Sequence, residues 1–320
     1  VEPVTGFRVC RDRLVMVGDV VGLTPEEAKG IITDEGHEVG VITGEYSDVV
    51  GAGFVMNQEP VGGEDWPEGA AVDLFVSLGP EPVDFVSWVD VNDAGVDEDG
   101  DGVADHEGFA GQMSKFEVTN GQYCQFLNEA YVLDLIRVEN GIVYENSDTY
   151  PDIVFCDITT MYSQISFDNN RFVPKSFGGS SLEDFPMFQV SWYGANAFAE
   201  YYGWRLPSEW EWQAVADYDG SYVYGCGAEI TAEMAHYDPE NIAGYPFTEA
   251  VGSFGEYGYG LCDLAGNVWE WTSSLYSEDE GVKVIRGGCW YEESDNCMAD
   301  VRVDRSVNET DPGIGFRVCR

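Results

Sequence analysis

The apolar and polar positions in residues 14–80 predict one helix followed by short strands. Thr24 is typical of a helix N-cap, Pro25 suits the first helical position, and Glu27 completes a capping box three residues after the cap. Gly36 ends the predicted helix, because glycine readily takes the left-handed conformation beyond a helix terminus.

After the helix, apolar residues recur at every second position, which predicts strands. Val39, Val41 and Thr43 share one face of the first strand, and further strands are predicted at Gly53–Asn57 and Val72–Val76. One helix and several strands in so short a segment indicate a small α+β domain.

The longer segment, residues 81–320, shows few helical runs, and the chain contains 38 glycines. Asn196–Tyr202 has helical spacing. A further helix is predicted after Ser208, which caps it with Glu211 at the third helical position.

The chain is strongly acidic, with 59 Asp and Glu against 15 Lys and Arg and a net charge of −44. Such a surface repels nucleic acid and anionic membranes, so neither is expected as a partner. It suits the binding of divalent cations, and adaptation to a saline medium would give the same excess of acidic residues. No apolar run reaches the roughly 18–20 residues that span a bilayer. The first residue is not Met and no signal peptide follows, which indicates a processed product or part of a longer protein.

The eight cysteines occupy positions 10, 124, 156, 226, 262, 289, 297 and 319. No two are spaced as CxxC, which argues against a zinc ribbon or a thioredoxin-type motif. Their even number favours some disulfides. Cys124 with Cys156 and Cys226 with Cys262 are candidate pairs, although spacing alone does not fix the connectivity.

The two ends of the chain match each other. Glu2–Arg11 reads EPVTGFRVCR and Asp311–Arg320 reads DPGIGFRVCR, with seven of ten positions identical. We interpret residues 1–13 as the end of a preceding copy of the larger domain, so that the chain is one period of a tandem array. The alternative is a single domain whose first strand imitates its last.

An acidic loop at residues 97–108 has the spacing of a calcium-binding loop. Oxygen ligands at alternate positions wrap a hard cation, and Gly102 permits the sharp turn. The usual Glu at the twelfth position is replaced by Gly108. A solvated acidic hairpin tip is the alternative. The predicted ligands are the side chains of Asp97, Asp99, Asp101 and Asp105 and the carbonyl of Val103.

Three phrases within residues 14–80 resemble a PASTA domain: DVVGLTPEEAKGIITDEG, NQEPVGGEDWPEG and DLFVSLGPEP. The resemblance implies a small α+β module of the extracellular parts of bacterial proteins. Some such modules are linked to peptidoglycan fragments and many are spacers. This copy is acidic and has no basic or aromatic cluster, which favours a spacer.

Five strings in residues 81–320 resemble the formylglycine-generating enzyme, or sulfatase-modifying factor, family: SKFEVTNGQYCQFLN, PMFQVSWYGANAFAEYYGWRLPSEWEWQAVA, GYGLCDLAGNVWEW, IRGGCW and GIGFRVCR. The family fold is a loop-rich α+β domain similar to C-type lectins. The resemblance therefore implies an α+β chain, with a PASTA domain at 14–80 and a formylglycine-generating-enzyme-like domain at 81–320. Five tryptophans of these strings are expected in the core: Trp204, Trp210, Trp212, Trp269 and Trp271.

The resemblance also implies a structural calcium ion. In the family it is held by side chains and backbone carbonyls of the GLxDLAGNVWEW motif. The corresponding ligands here are the side chains of Asp263 and Glu270 and the carbonyls of Gly266 and Val268. Calcium is thus the expected cofactor at this motif and at the acidic loop.

The family's enzymes oxidise a substrate cysteine through two copper-binding cysteines five residues apart. The second of these positions is Cys297, but the first is Glu292, and Cys289 replaces the family's serine. A carboxylate is a hard ligand and does not replace a thiolate on Cu(I). Arg305 matches a core arginine of the family. Iron chemistry in other relatives needs a histidine cluster, and this chain has only His37, His106 and His236.

These observations predict a non-enzymatic bacterial protein, extracellular or on the cell surface, with a structural or adhesive role. It would be one repeat of a tandem or polymeric filament stabilised by calcium, with further copies, a surface glycan or a surface protein as partners. One alternative is a divergent enzyme that uses Cys297. Another is a lectin-like module that binds a glycan or a peptide.

Overall fold

The computed structural model describes residues 13–81, 85–95, 107–147, 149, 152–238, 244–277 and 281–320. The chain forms two compact units: residues 1–83 with 129–134, and residues 84–128 with 135–320. The predicted terminal strand lies outside the described residues except for its last position. The predicted calcium ligands Asp97, Asp99, Asp101, Val103 and Asp105 also lie outside them.

The first unit packs one helix against a three-stranded sheet of order β2-β5-β3, in which β2 is parallel and β3 antiparallel to β5. Its elements are β1 (Leu14–Met16), α1 (Pro25–Asp34), β2 (Glu38–Glu45), β3 (Val55–Glu59), β4 (Asp65–Pro67) and β5 (Ala71–Ser77). The predicted capping box is confirmed: the Glu27 amide donates to Thr24 Oγ1 and the Thr24 amide donates to Glu27 Oε2 at 3.0 Å. Ala28 and Ile32 of α1 are completely buried against the sheet.

The alternation predicted for β2 is interrupted. A register shift between Val39 and Ile42 marks an irregularity in its pairing with β5. Val39 and Ile42 therefore pack on the core while Val41 is 66% exposed. A bulge moves later side chains to the other face, which a strict period of two does not anticipate.

In the second unit, short strands are separated by long loops. Its strands are β6 (Trp88–Asn92), β7 (Ala110–Ser114), β8 (Ile136–Glu139), β9 (Ile142–Glu145), β10 (Val154–Asp157), β11 (Ile165–Asp168), β12 (Arg171–Pro174), β13 (Ser176–Phe177), β14 (Ser180–Ser181), β15 (Trp269–Leu275), β16 (Val282–Arg286), β17 (Val303–Ser306) and β18 (Ile314–Gly315). The chain's other helices are α2 (Asn120–Val132), α3 (Trp192–Tyr201) and α4 (Glu209–Asp217). This mixture of helix and strand confirms the α+β class.

The sheet that carries the site has the order β17-β16-β15-β18. β15 runs antiparallel to β16 and parallel to β18, so Glu270 lies between Arg286 on one side and Gly315 on the other. β15 is thus flanked on both sides, and a polar side chain near its start lies inside the core.

Capping residues set the starts of the helices near the site. Ser191 caps α3, which begins four residues before the predicted helical segment. Ser208 caps α4 and forms the predicted capping box with Glu211. No helix in the described part of the chain combines the length and apolar character that crossing a membrane requires.

The core of the second unit is rich in aromatic side chains. Trp212, Trp269 and Trp271 are at most 1% exposed, as predicted. Trp204 and Trp210 are only partly buried, although Trp204 still packs against the buried ring of Phe198 at a centroid distance of 6.1 Å. Indole N–H groups need partners inside a core, and Trp271 Nε1 donates to the Val190 carbonyl at 2.9 Å.

Candidate functional site

The loop that leads into β15 is a tight turn. Asp263, Gly266 and Asn267 have positive φ angles of 58°, 75° and 60°. The Gly266 amide donates to the Gly287 carbonyl at 2.8 Å, and the Asn267 amide donates to the His236 carbonyl at 2.7 Å. A Cβ on residue 266 would lie 2.4 Å from the His236 carbonyl oxygen, so only glycine fits there.

A buried ion pair stands directly after this turn. Arg317, which is fully buried, donates from Nε and Nη2 to the two carboxylate oxygens of Glu270 at 2.6 and 2.7 Å. Trp212 Nε1 donates to Glu270 Oε2 at 2.7 Å. The remaining guanidinium hydrogens reach the carbonyls of Ser114 and Cys262 at 3.1 and 2.9 Å. Both ions are therefore paired in the way that a buried charge requires.

This pairing bears on the calcium ligands predicted from the motif. Both oxygens of Glu270 already accept short, charge-assisted hydrogen bonds, so a role as cation ligand does not fit this arrangement. Gly266 lies in the turn and Val268 is completely buried. Of the two predicted carboxylates, only Asp263 keeps an oxygen without a partner.

A second carboxylate with a free oxygen lies beside Asp263. Glu117 is 1% exposed and Asp263 is 7% exposed. Glu117 Oε2 accepts from Asn267 Nδ2 at 2.9 Å, and Asp263 Oδ2 accepts from the Gly252 amide at 2.5 Å. Glu117 Oε1 and Asp263 Oδ1 are buried without a hydrogen-bond partner. Sequence reasoning missed Glu117, although it lies in the string EVTN that carries the family resemblance.

The electrostatics of this pair follow from burial. Burial raises the pKa of Glu117 well above its ordinary value, and the charges of Asp263 and Glu270 add to the effect. Burial likewise raises the pKa of Asp263 to about 6, against the opposing influence of the Gly252 amide and Arg317. Three carboxylates thus face one guanidinium, and the free oxygens need a proton or a cation for neutralisation.

No ready-made metal cage accompanies these oxygens. Within the described residues, no three His, Cys, Asp or Glu side chains converge as metal ligands. Backbone carbonyls and water would have to complete a calcium shell, which commonly holds about 6–8 oxygens.

Cys297, at the position of the family's second copper ligand, packs against Ala265 of the turn that leads into β15. Cys297 closes a 3-10 turn, Ser294–Cys297, and is completely buried. Glu292, at the first ligand position, is partly buried and accepts from Asn296 Nδ2 at 2.6 Å. The turn is therefore held by a carboxylate–amide bond next to the cysteine.

The thiols of this region are weak acids. Burial, with smaller contributions from the nearby Glu292 and Cys226, raises the pKa of Cys297 to about 12. Burial also raises the pKa of Cys289 well above its ordinary value. A thiol must lose its proton to act as a nucleophile or a metal ligand, so the apolar surroundings of Cys297 oppose both roles.

Two further predictions are corrected here. The structure leaves Cys124, Cys156, Cys226, Cys262, Cys289, Cys297 and Cys319 as free thiols, so neither candidate disulfide is present. Arg305 is not a core arginine: it lies on β17 with a partly exposed side chain, 3.7 Å from Glu309. Among the described residues, the fully buried arginines are Arg286 and Arg317. Arg286 donates from Nη1 to the Val301 carbonyl at 2.6 Å.

The histidines form no cluster among the described residues. His37 is buried in the first unit, and both of its ring nitrogens lack hydrogen-bond partners. His236 Nε2 lies 2.9 Å from the Phe247 carbonyl in the second unit. His106 lies outside the described residues.

Comparison with known proteins agrees with this architecture. The sequence of Serine/threonine-protein kinase pkn1 from Chlamydia pneumoniae is 33% identical over 42% of this chain and 24% of its own length. Formylglycine-generating enzyme from Thermomonospora curvata is 36% identical over 52% of this chain and 60% of its own length. Inactive C-alpha-formylglycine-generating enzyme 2 from Bos taurus is 30% identical over 42% of this chain and 50% of its own length. The chain thus spans between about a quarter and three fifths of these relatives.

A solved structure shares the fold. The crystal structure of CarF covers 73% of this chain and 98% of its own, with a TM-score of 0.52 and 20% identity. Residues 15–78 match the PASTA domain, and residues 103–320 match the Sulfatase-modifying factor enzyme 1-like domain. The chain belongs to the sulfatase-modifying factor enzyme 1-like family and carries a PASTA domain before the family domain.

Proposed function

We propose that this chain is a non-catalytic structural or adhesive protein of the bacterial cell surface, built on the scaffold of formylglycine-generating enzymes. The observation that carries the proposal is Glu292, which occupies the place of a copper-binding thiol. Copper(I) needs soft sulfur ligands. With a carboxylate there and a buried, protonated Cys297 beside it, the scaffold has no thiolate pair for cysteine oxidation.

The relatives support both the loss of catalysis and the location on the bacterial surface. One of them is an inactive formylglycine-generating enzyme, so loss of catalysis on this scaffold has a parallel. The PASTA domain and the similarity to a bacterial serine/threonine kinase support a bacterial surface location. The matching ends of the chain support tandem copies or self-association.

Calcium is proposed as a stabiliser of the second unit. The free oxygens of Asp263 and Glu117 are buried and hard, and a bound cation would neutralise the negative charge that they acquire on losing their protons. Glu270 is assigned to Arg317 instead. The carbonyls of Gly266 and Val268 remain proposed ligands, and the acidic loop at residues 97–108 remains a second proposed site.

The structural role is tested by melting and by light scattering, with calcium and with a chelator. We expect calcium to raise the melting temperature of the wild-type chain, and to raise that of an Asp263→Asn, Glu117→Gln double variant by less, because the variant keeps only the acidic loop. Magnesium at the same concentration serves as the ionic-strength control. Equal melting temperatures of the wild type in calcium and in chelator would contradict the calcium proposal. A strictly monomeric chain at high concentration would argue against self-association.

A binding module is the second candidate function. A shallow cleft of about 280 Å³ is lined by Trp192, Tyr193, Leu275, Lys283 and Val307. The Lys283 ammonium lies 4.4 Å from the Trp192 ring centroid. Aromatic faces beside a polar group can stack on a sugar ring. Binding on a glycan array that Trp192→Ala abolishes would favour this function over a purely structural one.

A further inference from the structure

Two cysteines that are distant in sequence meet in one small apolar cluster of the second unit. The cluster contains Cys226, Ala235, Ala265 and Cys297 as buried members, with Tyr224, Ile230, Met234, Tyr237 and Tyr257 packed around them. Cys226 is 4% exposed and Cys297 is completely buried. A negative charge on Cys226 would also raise the pKa of the Cys297 thiol, in keeping with their shared cluster.

The backbone explains why they meet. Tyr224 pairs with Gly227 across a two-residue turn that contains Cys226. Tyr224 also forms an antiparallel bridge with Met298, and the Ala299 amide donates to the Val223 carbonyl at 2.8 Å. The bridge brings the turn alongside the segment that ends in Cys297. Continuing the register of this bridge places Gly225 opposite Cys297, so Cys226 lies one residue beyond the facing position, and both cysteines are buried in the same cluster.

We propose that Cys226 and Cys297 form a disulfide bond when the protein matures in an oxidising compartment, and that the structure shows the reduced form of this pair. One thiolate attacks the disulfide of a thiol–disulfide oxidant and forms a mixed disulfide. The second cysteine then displaces the oxidant. The two cysteines lose two protons and two electrons, and the oxidant leaves as a dithiol.

The buried surroundings of the two thiols determine at which stage of folding the disulfide bond forms. Burial raises the pKa of Cys226 to about 11 and that of Cys297 to about 12, so few thiolates exist in the folded protein. Each sulfur lies 3.8 Å from a carbonyl oxygen of its own segment, Glu229 for Cys226 and Glu293 for Cys297. Oxidation therefore precedes closure of the apolar cluster, and a chain folded in reductant reoxidises slowly.

The bond has a chemical consequence beyond stability. Cys297 stands at the family's second copper-ligand position, and a disulfide removes its sulfur from nucleophilic or metal chemistry. The pairing also excludes the expected link between Cys226 and Cys262. It does not depend on calcium or on self-association, so its failure leaves the proposed structural role standing.

Peptide mapping tests the proposal directly. The wild-type chain is produced in an oxidising compartment, its free thiols are alkylated in denaturant, and the unreduced protein is digested and analysed by mass spectrometry. We expect a linked peptide that joins residues 226 and 297, with the mass of the two peptides less two hydrogen atoms. Alkylation of both cysteines, or a link from either one to another cysteine, would overturn the proposal.

Two variants sharpen the result. Cys289→Ser removes a buried thiol outside the cluster and should retain the link. Cys226→Ser should leave Cys297 free to alkylate, and its melting temperature should match that of the reduced wild type. Reduction of the wild type should lower the melting temperature by about 5–10 °C. A wild type whose melting is unaffected by reduction, or a Cys226→Ser chain in which Cys297 stays protected, would count against the bond.

Discussion

A completely buried guanidinium such as that of Arg317 must find an acceptor for its N–H groups, because water is absent. Arg317 finds them on Glu270 and on the carbonyls of Ser114 and Cys262. The string GFRVCR identified its position but not its partner. The family resemblance implies a calcium role for Glu270, and only the folded arrangement shows that the pairing of β15 with β18 brings it to the arginine.

Removing the negative charge of this pair should strongly destabilise the second unit. Glu270→Gln is expected to lower the free energy of unfolding by about 3–5 kcal/mol, because it leaves a buried guanidinium without its counter-charge. Urea unfolding measures the loss.

The matched control is Glu309→Gln. Glu309 is 42% exposed and lies 3.7 Å from Arg305, so its substitution should cost less than about 1 kcal/mol. Equal losses in the two variants would show that burial does not determine the value of the Glu270–Arg317 pair.

The carboxylate of Asp263 should make stability depend on pH when calcium is removed. Its folded pKa of about 6 lies above the ordinary value of 3.8, so the folded chain binds more protons than the unfolded chain between these values. Stability therefore falls as the pH rises from about 4 to about 6. At neutral pH in chelator, Asp263→Asn should raise the free energy of unfolding by about 2–3 kcal/mol.

Urea unfolding across this pH range, in chelator, checks the prediction. Asp168→Asn is the control, because Asp168 is exposed on β11 and should leave the pH profile unchanged. A wild type and an Asp263→Asn variant with parallel pH profiles would contradict the assignment.

At the scale of secondary-structure elements, the features that depend on a few consecutive residues could be predicted from the sequence. The capping boxes of α1 and α4 lie within four consecutive residues each, and both were predicted from sequence. The bulge in β2 and the parallel pairing of β15 with β18 were not, because they depend on residues distant in sequence. The turn before β15 depends on the His236 carbonyl, which lies thirty residues before Gly266.

Substitution in that turn should show how closely the two segments pack. Gly266→Ala combines a positive φ of 75° with a contact of 2.4 Å, so we expect a loss of about 3 kcal/mol or more in the free energy of unfolding. Gly255→Ala is the control, since Gly255 has a φ of 89° but no atom within 4 Å of an added Cβ. Its cost should be about 1 kcal/mol. Thermal or urea unfolding measures both, and equal costs would argue against the close approach.

At the scale of the molecule, the charge of −44 sets the conditions in which the chain folds. Exposed carboxylates repel one another across distances that salt shortens. The charge argues against nucleic acid as a partner but says nothing about the internal ion pair. Relatives that include enzymes and an inactive protein share this scaffold, so function must be argued from individual residues.

Salt should therefore stabilise the chain. Raising sodium chloride from about 20 mM to about 150 mM shortens the screening length from roughly 20 Å to about 8 Å, and we expect a higher melting temperature in chelator. Choline chloride at the same ionic strength should give the same shift if screening is the cause. A melting temperature that is flat or falls with salt would mean that self-repulsion is not significant.

We propose that this scaffold retains its architecture without cysteine oxidation. The direct measurement is aldehyde formation on a cysteine-containing peptide by the reduced wild-type chain with copper and oxygen, with the Thermomonospora curvata enzyme assayed in parallel. We expect aldehyde from that enzyme and none above background from this chain, because Glu292 supplies no thiolate. Aldehyde formed by this chain and lost in Cys297→Ser would contradict it.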